Sequence, residues 1–246
     1  MKLTVLGCHG PFPAPGGACS GYLIQAGEVS LALELGCGSL SNLRRVMPGV
    51  EVDGILLSHL HSDHMSDMLV LRYAMPQIKF GGADIKIPMT VVAPETPETE
   101  YRMLASSGMF EMVAAKHGLK LRFGDVAVTL YGASHTVETY SFDVEYQGKR
   151  IFYTGDTGMH PDLVNNCRGA DILLADTCFL NAEKPGEKAY HLTAGEAGQI
   201  AREAGVGQLI CTHIWGDRGD TSQMLSEARE HFANSLIAEE MHEYHV

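Results

Sequence analysis

The chain has 246 residues, 45% hydrophobic and 20% charged, which is enough to bury a substantial core and ordinary for a globular enzyme. Thirty acidic residues against 18 Lys and Arg give a formal net charge of −12, which disfavours RNA as a partner because phosphate contacts need clustered cations. The apolar run before Gly7 is too short for a signal peptide, no stretch reaches the ~18 apolar residues of a membrane span, and the six cysteines form no CxxC pair, so one cytoplasmic domain over 1–246 with mostly buried free thiols is expected.

Short strands come first: Leu3–Leu6, Tyr22–Gln25 and Leu31–Leu35, punctuated by Gly, with a Gly- and Pro-rich loop over Gly10–Gly17. Gly54–Ser58 reads as a buried strand ending at a histidine cluster, with a helix over Asp67–Tyr73 behind it. Ile85–Ala93 is strand-like, and Thr96–Ala105 and Phe110–Lys116 are expected to be helical. Hairpin strands follow at Ala127–Leu130, Ser141–Tyr146 and Ile151–Tyr153, the last two joined by a Gln147-Gly148 turn. Asp171–Ala175 is a second buried strand, Thr193–Ala204 an amphipathic helix with Thr193 as N-cap, Gln208–Thr212 a strand and Ser222–Phe232 a last helix. Strands followed by α/β units, in two halves, predict an α+β fold: two sheets face to face with helices outside, an αββα sandwich.

The chemistry sits at the ends of the apolar strands. In GILLS-HLHSDH, three His and one Asp fall within six residues. In extended backbone the i and i+2 side chains of His59 and His61 share a face and can grip one metal together, while Asp63 and His64 start the following turn and point toward a second. Imidazole and carboxylate are ligands for zinc, with manganese or iron as alternatives. A His-rich surface loop is the plain alternative, and the wedging between a buried strand and a helix argues against it. Four further positions follow strands or precede a helix: His135 in GASH, Asp156 in YTGDTG, His191 before the Thr193 helix, and His213 in LICTH. Each alone has a structural explanation of similar weight; together they supply what two metals need.

HxHxDH, a downstream His, an Asp in a GDT turn and a strand-end His together resemble the metallo-β-lactamase superfamily over nearly the whole chain. The resemblance implies one metal on His59, His61 and His135, a second on Asp63, His64 and His213, and Asp156 between them. Within the superfamily, AYHLTAGEAGQIAREAGVGQLICTHI resembles the phosphodiesterase branch that includes tRNase Z. There the helix-start His assists the leaving group and a preceding acid supports it; the matching residues are His191 and Asp176. The implied chemistry is attack on phosphorus by a hydroxide formed between two divalent metals, with Asp63 also orienting the nucleophile. A homodimer is a further family-level expectation.

Two departures redirect the substrate. The loop GCHGPFPAPGGACSGYLI lacks the basic motif of tRNase Z, and the stretch from His135 to Asp156 has room for one hairpin and no tRNA-gripping arm. The chain more closely resembles the compact bacterial phosphodiesterases of this branch, some of which act on cyclic nucleotides. A small phosphodiester such as a cyclic nucleotide is therefore expected. The alternatives are a tRNase Z-like ribonuclease, a hydrolase of esters, thioesters or lactones, and an inactive metal-binding protein. Trp215, the only Trp, could stack on a substrate ring or pack its loop; His9 could face the site or only make its turn. Asp67 could hydrogen-bond a ligand His or start its helix, and Glu34 stands where the superfamily usually has an Asp.

Overall fold

The computed structural model describes residues 1–186 and 189–246. The N-terminal half begins with antiparallel strands β1 (Lys2–Gly7), β2 (Gly21–Ala26) and β3 (Val29–Leu35). Parallel units follow: α1 (Ser39–Val46), β4 (Gly54–Leu56), α2 (Ser62–Phe80), β5 (Met89–Ala93), α3 (Glu98–Ala105) and β6 (Phe110–Ala114). The second half repeats the plan. Antiparallel β7 (Lys120–Phe123), β8 (Val126–Gly132), β9 (Tyr140–Tyr146) and β10 (Lys149–Tyr153) come first. Then come α4 (Leu163–Asn166), β11 (Ile172–Asp176), α5 (Ala194–Ala204), β12 (Gln208–Thr212), α6 (Ser222–His231) and β13 (Ser235–Ile237). Finally β14 (Glu243–His245) returns to pair with β1.

Among the described residues these strands form two seven-stranded sheets, ordered β14-β1-β2-β3-β4-β5-β6 and β13-β12-β11-β10-β9-β8-β7. Side-chain alternation explains the layering. On β2 and β3, Tyr22, Ile24, Leu31 and Leu33 pack between the sheets, while Leu23 and Ala32 point outward beneath α1 and α2 with Leu40, Leu43, Met68 and Leu71. Strands β10 to β12 are apolar on both faces because α5 covers the outer one with Ala197, Ile200 and Ala201. The expected αββα sandwich is the fold observed.

Several local devices match the sequence reading. Gln147 and Gly148 both take positive φ, 50° and 75°, as a tight hairpin turn of the type that suits strand twist requires. Thr193 caps α5: its hydroxyl accepts from Glu196 N, and the Glu196 carboxylate accepts from Thr193 N at 3.0 Å.

Two expectations fail. The stretch Phe110–Lys116 is not helical; Phe110–Ala114 pairs in parallel with β5 from Met89↔Phe110 to Ala93↔Ala114, so an adjacent strand edge decides a sequence that local preference leaves open. The helix expected from Asp67 also starts earlier. β4 stops at Leu56, both histidines lie in the connection that follows, and α2 begins at Ser62, well before Asp67, and runs on to Phe80. Helix α1 and strand β7 had no clear sequence signal. One irregularity matters for the site. Gly21 pairs with Leu35 and Tyr22 with Leu33, so Glu34 is the extra residue of a bulge, with φ 58°. The bulge turns Leu35 to the outer core and leaves Glu34 free to point elsewhere. No described helix is long and apolar enough to cross a membrane.

Candidate metal centre

Loops at one end of the sandwich bring the site together. His59 and His61 come from the β4–α2 connection, Asp63 and His64 from the first turn of α2, and His135 from the loop after β8. Asp156 follows β10, Asp176 ends β11, His191 precedes the α5 cap and His213 follows β12. The N-terminal turn of α2 favours a carboxylate, which suits Asp63. His213 takes a left-handed backbone, φ 57°, uncommon for a non-glycine residue and typical of positions held for function by their surroundings.

Two clusters result. His59 Nε2 lies 2.9 Å from His61 Nδ1, and His135 Nε2 lies 3.2 Å from the same atom. Three ring nitrogens facing one another at this spacing have lone pairs converging on a shared centre. In the second cluster His213 Nε2 is 3.2 Å from Asp63 Oδ2, and His64 Nε2 is 3.4 Å from that oxygen. Asp156 joins the two: Oδ2 is 3.2 Å from His213 Nε2, 3.7 Å from His59 Nε2 and 3.9 Å from His135 Nε2, while Oδ1 is 3.3 Å from His64 Nε2. Within each of the sets His59–His61–His135 and Asp63–His64–Asp156–His213, the donor atoms lie within 4.8 Å of one another.

The other ring nitrogens are held from behind, as metal-binding imidazoles usually are. His135 Nδ1 donates to the Tyr190 carbonyl at 3.1 Å, which directs the Nε2 lone pair into the site. His59 Nδ1 meets Ser58 Oγ at 3.0 Å. The bulged Glu34 accepts from Ser58 N at 3.1 Å and stands 3.5 Å from His64 Nδ1. Asp176 Oδ2 accepts from His191 Nδ1 at 2.8 Å and from Thr157 N at 3.0 Å, and Oδ1 is 3.6 Å from His213 Nδ1.

Burial and charge pull these groups in opposite directions. Burial pushes His59 well below the ordinary imidazole range and lowers His61 and His135. Burial opposes ionisation of Asp156, yet the His213 and His64 imidazoles hold its carboxyl well below the usual range. Burial likewise opposes charge on His64 and His213, but the surrounding acidic groups acting together, Asp156 foremost and Asp63 among them, raise both. His191 is raised despite burial, chiefly by Asp176. Among the described residues, both ring nitrogens of His64 and Oδ1 of Asp156 are buried without a hydrogen-bond partner. Buried acceptors left without a partner are costly, and a cation between the clusters would take the lone pairs of His64 Nε2 and Asp156 Oδ1, while His64 Nδ1 faces Glu34. The residues present therefore fit a divalent metal pair.

His61, Asp63, His135, Asp156, His191 and His213 line one open cavity of about 270 Å³, with His59 and His64 fully buried beneath. Every site residue expected from the sequence is thus brought together. The remaining candidates separate. Trp215 lines the cavity. His9 faces away, its Nδ1 lying 3.2 Å from both the Ala18 carbonyl and Glu240 Oε1. Asp67 meets no ligand His; its carboxylate accepts from Leu40 N at 2.9 Å and ties α1 to α2. Pro11, Thr136, Cys178 and Phe179 also line the cavity and carry no motif that would have announced them.

Comparison with known proteins bears on this geometry. The family profile described as "Beta-lactamase superfamily domain" matches residues 38–214. The chain is 32% identical over 215 residues to the probable metallo-hydrolase YhfI of Bacillus subtilis, covering 87% of each chain. The crystal structure of YhfI superposes with a TM-score of 0.92 over 99% of this chain and 98% of YhfI, at 29% identity. Ribonuclease Z of Methanopyrus kandleri is 25% identical over 277 residues, covering 97% of this chain and 95% of that enzyme.

Proposed function

This chain belongs to the β-lactamase superfamily, and we propose that it is a metal-dependent hydrolase that holds two divalent cations and cleaves a small phosphodiester. His59, His61 and His135 would hold one cation, Asp63, His64 and His213 the other, with Asp156 shared. The carrying observation is the single carboxylate of Asp156 set between two convergent clusters. When bound, such a pair supplies Lewis-acid activation of water and neutralises charge on a phosphoryl group.

The protein's own groups do the rest. Asp63, on the cavity wall, orients the attacking water by accepting its hydrogen bond. His191 has Nδ1 committed to Asp176, which leaves Nε2 to protonate the departing oxygen. Asp176 is fully buried and fixed by Thr157 N and Cys178 N, so it sets the tautomer and orientation of His191. Phosphodiester cleavage is favoured over carbonyl chemistry by the resemblance of the segment around His191 to the phosphodiesterase branch, and the His–Asp pair supplies the proton that a departing alkoxide needs. A small substrate is favoured over tRNA because only the β9–β10 hairpin occupies the stretch between His135 and Asp156. Zinc as the bound ion, a single domain, a cytoplasmic setting and a homodimer belong to the same proposal.

The test measures metal per chain and turnover of bis-(p-nitrophenyl) phosphate, a cyclic nucleotide, a precursor tRNA and a lactone. Two metals per chain are expected, with phosphodiester turnover lost on chelation and restored by zinc. Turnover confined to the lactone would overturn the phosphodiesterase reading, and metal retained with no turnover would favour a binding protein.

A packing detail gives a second check on the second cluster. Gly10 lies against the His213 ring so closely that a β-carbon there would fall 2.0 Å from His213 Nε2. Gly10→Ala is expected to push His213 off the cluster and lower metal content toward one per chain. A folded variant with undiminished metal would contradict the assignment of His213.

A further inference from the structure

The metal-site cavity does not end at the metals. Phe179 and Trp215 are on its wall and are also on the wall of a neighbouring cavity of about 360 Å³, completed by Glu183, Asp217 and Arg218. That volume is at the small end of ordinary ligand sites, about 300–1,000 Å³. The two spaces are therefore neighbours that share two aromatic side chains.

Three features of this side cavity point to a ring with a polar edge. Trp215 is 38% exposed and its orientation is fixed from one side: Phe12 meets it edge-to-face, centroids 5.7 Å apart and planes at 79°. An exposed, braced indole beside an active site offers a stacking surface without needing to be ordered on binding. Beyond the rings the wall becomes polar. Arg218 is held by Glu183 at 2.5 Å and by the Cys178 carbonyl at 3.4 Å, and its Nε, among the described residues, is buried without a partner. Asp217 adds a carboxylate beside it. A hydrocarbon ring would leave this donor-and-acceptor wall unanswered, whereas a heteroaromatic ring offers matching groups on its edge.

We infer that the Phe179–Trp215–Arg218 cavity binds the nucleobase of a nucleoside phosphodiester, so that the hydrolase acts on nucleotides and selects them by their base. The inference rests on the phosphodiesterase reading for its reaction, though base binding does not depend on turnover. Phe179, Trp215 and Arg218 are specificity residues here. They touch the base and take no part in the bond cleavage.

Trp215 is the only tryptophan of the chain, so its fluorescence reports the boundary of the metal-site and side cavities, and a phosphate without a base is the control for binding at the metal site. With the metal-loaded protein, a nucleoside 5′-monophosphate is expected to quench it saturably, and ribose 5-phosphate, which lacks the base, is not. Kinetically, wild type is compared on the p-nitrophenyl ester of a nucleoside 5′-phosphate and on methyl p-nitrophenyl phosphate. In Phe179→Ala and in Arg218→Gln the ratio of kcat/KM for the first substrate over the second should fall at least about tenfold, through KM, as loss of a base–aromatic or base-edge contact requires. Equal quenching by both phosphates, or an unchanged ratio in both variants while wild type cleaves both esters, would overturn the base site and leave the phosphodiesterase reading standing. Base-dependent quenching with neither ester cleaved would support the base site and overturn the reaction.

Discussion

Asp156→Ala is expected to abolish phosphodiester turnover, by more than about 10³-fold, and to remove at least one of the two metals. Losing a single electrostatic stabiliser from an active site typically costs about 10²–10³-fold. Asp156 stands to cost more because it serves both clusters: five imidazole nitrogens, from His59, His64, His135, His191 and His213, lie within 4.0 Å of its oxygens. The fold should survive. Asp156 is in the loop after β10, outside the apolar clusters that form the two cores. Metal analysis, turnover and circular dichroism on one preparation decide the matter. Near-wild-type turnover with full metal content in the variant would refute the site, and Asp156→Asn, which keeps the shape without the charge, separates electrostatics from packing.

His191→Ala should keep its metals and lose about 10²–10⁴-fold in kcat on substrates with an alkoxide leaving group. Its Nδ1 is engaged by Asp176 at 2.8 Å, and it lines the cavity without belonging to the three-histidine cluster. If its role is to protonate the departing oxygen, the loss must depend on that oxygen. A p-nitrophenolate leaves readily without a proton, so the variant should be far less impaired on bis-(p-nitrophenyl) phosphate than on a cyclic nucleotide. Asp176→Asn should show the same leaving-group dependence in weaker form, since the imidazole loses its orienting carboxylate but is still present. An equal loss on both substrates, or a fall in bound metal, would assign His191 to metal binding or packing instead.

The residues that meet in the site were largely legible in the sequence because their chemistry is local. His59, His61, Asp63 and His64 come within six positions, His135, Asp156 and His213 each follow an apolar segment that could be recognised by itself, and His191 precedes the helix capped by Thr193. His59 and His61 meet as the i, i+2 spacing implied, in the connection after the strand ends at Leu56 and with His61 in extended backbone. Glu34 could be noticed but not interpreted. Its place behind His64 depends on a bulge defined by the register of β2 against β3, and register is a property of two strands. Asp67 looked like a neighbour of the metal ligands and instead ties two helices together. Phe179, Thr136 and Pro11 carry ordinary side chains in ordinary sequence contexts; only their arrival at one cavity gives them meaning.

By itself the sequence carried the fold class in its alternating apolar patterns and marked the candidate metal ligands at donor-rich strand ends, because both are written in consecutive residues; the pairing of His191 with Asp176 was implied by the resemblance to the phosphodiesterase branch. The tertiary structure decided whether Phe110–Ala114 became strand or helix, where Glu34 points, and how the space beside the metals is shaped. Those outcomes depend on which edges and loops from distant parts of the chain come within a few ångströms of each other, and no local preference encodes that distance.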